Sequence, residues 1–126
     1  MVQTDVSQLS AECSDWLQIL RNYRQEFHDY EKALEDTCKK TLGKQQLLEV
    51  EHLHNQFDIQ LKNIHDVKQH IKHHERKIQF ESSGTENIQE DTYAHHEQLL
   101  NEFLTLENTL QEIRNEFKNF VNTTSC

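Results

Sequence analysis

Leu9-Ser10-Ala11-Glu12-Cys13-Ser14-Asp15-Trp16-Leu17-Gln18-Ile19-Leu20-Arg21-Asn22-Tyr23-Arg24-Gln25-Glu26-Phe27 carries its main apolar residues, Leu9, Cys13, Trp16, Leu20, Tyr23 and Phe27, at steps that alternate between four and three. That is the heptad spacing of a helix packed along one stripe. The series continues through Tyr30, Leu34, Cys38 and Leu42. A second series runs Leu47, Val50, His54, Phe57, Leu61, Ile64, Val67, Ile71, His74, Ile78, and a third runs Thr92, His96, Leu99, Phe103, Leu106, Leu110, Ile113, Phe117, Phe120. Three such stripes predict three long helices.

The chain contains no proline and two glycines, Gly43 and Gly84. Proline removes a helical hydrogen bond and clashes with the preceding turn, so its absence permits uninterrupted helix. The breaks fall at the glycines. Continued past Gly43, the first stripe meets Lys44, Leu48, Glu51 and Asn55, which are mostly polar, and loses its phase. The second break is Ser82-Ser83-Gly84, where Ser83 and Glu86 have the spacing of a capping box and predict a helix start. The expected fold is all-α: an antiparallel up-down-up three-helix bundle with long coiled-coil-like helices. One domain spans residues 1–126, with helices over about 7–42, 45–82 and 85–121 and frayed ends at 1–6 and 122–126. In the antiparallel register Trp16 meets Ile71, Tyr30 meets Phe57 and Val67 meets Phe103. A helix exchanged between two chains is the competing architecture.

Composition excludes several classes. The net charge is -9 with histidines neutral, and the mean hydropathy is -0.92. Nucleic acid and anionic membrane surfaces need clustered Lys and Arg, so neither is expected as a partner. The only basic run along the chain, His70 to Lys77, has histidine for half of its six basic residues and includes Glu75. No apolar run reaches the ~20 residues that span a bilayer, and the first residues lack the basic and apolar regions of a signal peptide. Three cysteines, without CxxC or finger spacing, read as reduced thiols in a cytoplasm.

Two core layers are not apolar. One holds Leu34, His54 and Phe117, where the lone histidine reads as a satisfied or register-setting core residue. The other brings Cys13, His74 and His96 together. Thiolate and imidazole are ligands zinc prefers, and three protein ligands plus water make an open tetrahedral site. His70, one turn before His74, has the spacing for a further ligand, and Glu75 and Glu97 are candidate acceptors behind the histidines. The bland alternative is a wet core layer near the second turn, with Cys13 acting as a small hydrophobe. Glu49-x-x-His52 and Glu51-x-x-His54 have di-iron spacing, but that chemistry needs such motifs on two separate helices.

A slender bundle offers no deep substrate pocket, and the chain has no glycine-rich phosphate loop, so no catalytic residues are assigned and no enzyme is expected. Leu17, Leu48, Leu53, Ile59, Phe80, Leu100 and Leu104 flank the stripes. They either broaden the core face or form a lateral patch for self-association or a partner helix. The expected function is a non-enzymatic bundle in protein–protein interaction or structure, and the alternative is a zinc-type metal-binding bundle.

Val50-Glu51-His52-Leu53-His54-Asn55-Gln56-Phe57 and the overall layout resemble small uncharacterised bacterial helical-bundle proteins. The layout, with Trp16 in the first helix, is also similar to a spectrin-type three-helix repeat. Both resemblances imply the architecture and transfer no functional residue.

Overall fold

The computed structural model describes residues 6–38, 42–84 and 88–124, the side chains of 37, 38, 84 and 124 excepted. Three helices make up the described chain: α1 over Val6–Cys38, α2 over Lys44–Gly84 and α3 over Glu90–Thr124. At 1.5 Å per residue they are about 50, 60 and 50 Å long. Contacts fix the topology. Glu12 reaches His96, Tyr23 reaches Glu107 and Glu26 reaches Arg114, so α1 and α3 run parallel. His52 with Glu116 and His70 with Glu102 show α2 antiparallel to both. This is the up-down-up three-helix bundle that the stripes predict.

The third stripe is buried from Thr92 to Phe120 without exception. In α1 the residues Leu9 to Leu34 are buried along the stripe, with Tyr30 half-buried, and Leu17 widens the face. At mid-bundle Phe27, Phe57 and Phe117 meet edge to face, with centroids 5.5 Å apart for both Phe27–Phe57 and Phe57–Phe117. Burying one such ring stabilises by about 1.5–3 kcal/mol.

The first half of α2 departs from the expected stripe. Leu53 and Gln60 are buried, whereas His54 and Leu47 are exposed and Leu61 is half-buried. Counting back from Ile78, the steps of four and three run through His74, Ile71, Val67, Ile64, Gln60, Phe57, Leu53 and Val50 without a slip. A strict heptad therefore overrides the more apolar choice of Leu61 over Gln60. The buried Gln60 carboxamide oxygen accepts a hydrogen bond from Asn63 at 3.1 Å. His54 does not join Leu34 and Phe117 in a core layer; it lies 3.5 Å from Asp58 on the surface.

The helix ends also differ. Leu42 and Gly43 are non-helical, and residues 39–41 lie outside the described residues. The Gly43 carbonyl accepts the Leu47 N–H at 3.0 Å, while the Gln46 side chain reaches back to the Gly43 N–H at 2.9 Å. This is one half of a capping box. Ser83 does not start α3. Its hydroxyl donates to the Phe80 carbonyl at 2.9 Å, within the last turns of α2, and Glu86 lies outside the described residues. Instead the Gln89 carbonyl accepts the Thr92 and Tyr93 N–H groups, and the Glu81 carboxylate accepts the Gln89 N–H and the Thr92 hydroxyl. A carboxylate of α2 thus caps α3, where it also favours the positive end of the helix dipole. Among the described residues no helix is long and apolar enough to cross a membrane.

Candidate metal centre

Cys13 on α1, His74 on α2 and His96 on α3 occupy inward heptad positions at the same height, so each helix delivers one side chain to one layer. The Cys13 sulfur and one ring nitrogen of each histidine fall within 4.8 Å of one another, and all three residues are buried. His74 is 1% exposed and His96 6%. Nε2 of His74 lies 2.8 Å from Nδ1 of His96, and Nε2 of His96 lies 2.8 Å from a Glu12 carboxylate oxygen. Trp16 covers His96 with ring centroids 4.8 Å apart, and His95 meets His74 edge-on at 4.9 Å.

The hydrogen bonds assign the tautomers of the two rings in their neutral forms. An ionised carboxylate only accepts, so Nε2 of His96 carries the proton that points to Glu12. A neutral His96 then presents a bare Nδ1, which accepts from Nε2–H of His74. His74 is left with a bare Nδ1, buried and without a hydrogen-bond partner. A buried acceptor without a donor costs about 1–3 kcal/mol.

Burial keeps His74 and Cys13 neutral. Burial, followed by repulsion from His96, His95 and Lys77, pushes the His74 pKa down to about 4. Burial, followed by repulsion from Glu75 and Glu12, pushes the Cys13 thiol up to about 12. The His74 imidazole is thereby held in the form a metal binds, while the Cys13 thiol must lose a proton to bind one.

The donors fit a zinc-type ion in kind, and the two imidazole nitrogens nearly in place. Zinc bonds of ~2.0–2.1 Å hold two imidazole nitrogens about 3.3 Å apart in a tetrahedral site, so the two rings have to part by about half an ångström. Glu12 behind His96 is the carboxylate–histidine arrangement common in such centres, and it sets ring orientation and raises basicity. Glu12, 41% exposed, and His96 also line a cavity of about 240 Å³ with Gln8, Leu9 and Tyr93, which gives the layer a route to solvent.

No family model, no curated protein and no solved structure matches the chain.

The register alone identifies Cys13, His74 and His96, and the structure brings the three together. His70 is not brought in. It is exposed and pairs with Glu102 at 2.8 Å, because the position one turn before His74 faces the outer edge of α3. Glu12 was not foreseen as the carboxylate behind His96; Glu97 is exposed, and Glu75 is half-buried. The signal for Glu12 lay in its place beside Cys13, on the side of α1 that turns toward the parallel α3. A second group, Glu31, His54 and Asp58, also lies within 4.8 Å, with His54 and Asp58 exposed. Burial, followed by hydrogen bonding and repulsion from Asp58, raises the Glu31 pKa.

Proposed function

We propose that this chain is a metal-binding helical bundle that takes a zinc-type transition metal between Cys13, His74 and His96, as a binding protein rather than an enzyme. The carrying observation is the convergence of one thiol and two imidazoles, all buried, from three different helices on one point. Metal uptake takes the place of the hydrogen bond between the two histidines, with the His74 proton moving from Nε2 to its unpartnered Nδ1, and releases one proton from Cys13. A bound ion also ties the three helices together at the end of the bundle where the second turn lies. Three protein ligands leave a fourth position for water or a small donor.

The test is metal content by mass spectrometry on tag-free protein purified without chelator, followed by titration with cobalt(II). About one equivalent of metal and a thiolate-to-cobalt absorption band support the reading. Both should disappear in Cys13→Ser and in His74→Ala variants that keep their helical circular dichroism. Metal at background with no cobalt band would overturn it.

A second reading is a protein-interaction or structural role, in a cytoplasmic setting. It is favoured by Leu48, Ile59 and Phe80, which are exposed and recur on α2 at close to whole numbers of turns. Phe80 is 79% exposed. Sedimentation that depends on concentration, and is abolished in Ile59→Lys and Phe80→Lys variants, supports self-association through that side. A monomer at all concentrations overturns self-association.

A further inference from the structure

The chain carries thirteen Lys and Arg against twenty-two Asp and Glu, and a net charge of -9. A protein so acidic is expected to pair its cations. Among the described residues, Arg114 is the one Lys or Arg side chain in an ion pair. The ion pairs among the described residues join carboxylates to histidines and to Arg114, and none involves Arg21, Arg24, Lys62, Lys68 or Lys72. These five stand together on one side of the α1–α2 groove.

Two observations place them there. Arg24 of α1 lines a cavity of about 310 Å³ with His28, Leu61, Lys62 and His65, and Asp66 is its only acidic wall. Farther along the same groove, half-buried Lys68 is within electrostatic reach of Lys72, Arg24 and Arg21. Burial, followed by repulsion from those three cations, lowers its pKa. Arg24 belongs to both groups and joins them into one row. From Lys62 to Lys72 the row extends about 15 Å at 1.5 Å per residue.

We infer that the α1–α2 groove at Arg21, Arg24, Lys62, Lys68 and Lys72 binds a short, multiply charged phosphate-type anion. Guanidinium forks and lysine ammonium groups are the donors that recognise phosphate oxygens. A row of this length meets several linked phosphates better than a single one. A long polyanion is disfavoured, because beyond the groove it runs onto the acidic remainder of the molecule. An occupant also relieves the repulsion around Lys68, so binding and stability are linked. The groove shares no residue with the Cys13–His74–His96 layer, and this inference stands independently of the metal reading.

Inorganic tripolyphosphate, titrated by calorimetry into chelator-treated protein at low ionic strength, is the probe. The expected result is saturable binding and a raised melting temperature, with affinity falling as salt is added. Arg24→Gln combined with Lys68→Gln should weaken binding by at least about tenfold. Lys44→Gln combined with Lys118→Gln removes the same formal charge elsewhere and should leave it nearly unchanged. Circular dichroism confirms that both double variants are folded. ATP without magnesium distinguishes sources: tighter binding than tripolyphosphate assigns a nucleotide, and equal or weaker binding assigns the phosphate chain alone. No saturable binding, or equal weakening in the two double variants, would overturn the inference.

Discussion

Nε2 of His74 lies 2.8 Å from Nδ1 of His96, so a single proton joins α2 to α3 inside the core, and Glu12 of α1 orients the second ring. The His74 pKa is held down at about 4, below its ordinary 6.5, mainly by burial. The native state therefore keeps His74 neutral where the unfolded chain already binds a proton. This contribution is complete above pH 6.5 and is lost as the pH falls from 6.5 toward 4. It is on the order of 3 kcal/mol. Urea midpoints of metal-free protein across that window should fall more steeply for the wild type than for His74→Leu. Parallel slopes would refute the assignment.

Cys13 presents the opposite case. Burial, with Glu75 and Glu12 nearby, raises its pKa from 9.0 to about 12. At pH 8 the thiolate fraction falls on the order of a thousandfold, and the thiolate is the nucleophile. Alkylation mapped by mass spectrometry should leave Cys13 unmodified in native metal-free protein and modify it rapidly in denaturant. Native modification at the denatured rate would show the thiol to be accessible.

How much of this was legible in the sequence varies by residue. The third stripe was fully legible, since every inward position from Leu99 to Phe120 is apolar. The first half of α2 was not, because Leu53 and His54 are adjacent and Gln60 precedes Leu61. Residue type favoured one phase there and the unbroken heptad the other. The Cys13–His74–His96 layer was legible because an antiparallel register aligns distant positions by counting. Glu12 and the basic groove were not, since both depend on which side of α1 turns toward which neighbour. The five groove cations are scattered from Arg21 to Lys72, and net charge concealed them.

Gly43 offers a direct test of local capping. Its N–H already bonds the Gln46 side chain at 2.9 Å, but it has no side-chain oxygen to receive a backbone N–H of the first turn. A Cβ at this position meets only the Gln46 side-chain oxygen, at 3.7 Å, which is ordinary contact. Gly43→Ser completes the capping box and also restricts the unfolded chain. The expected gain is about 0.5–1 kcal/mol in chemical denaturation. A loss of stability would show that the residue before α2 cannot adopt a capping conformation with a side chain.

Arg114 separates charge from shape. Its Nε and Nη2 lie 2.9 and 2.8 Å from one Glu26 oxygen, and its guanidinium carbon lies 5.0 Å from the Tyr23 ring centroid. The pair is about three-quarters shielded on the arginine side and two-thirds on the glutamate side, with 27% and 32% exposure. One planar group thus ties α3 to α1 by an ion pair and by stacking. A lysine keeps the charge but cannot present the fork or cover the ring. Arg114→Lys should therefore cost about 1 kcal/mol, close to the cost of Arg114→Met. In a double-mutant cycle with Glu26→Gln, the coupling for arginine should exceed that for lysine. If Arg114→Lys proves neutral while Arg114→Met does not, net charge near Glu26 is sufficient and the planar contact with Tyr23 contributes nothing measurable.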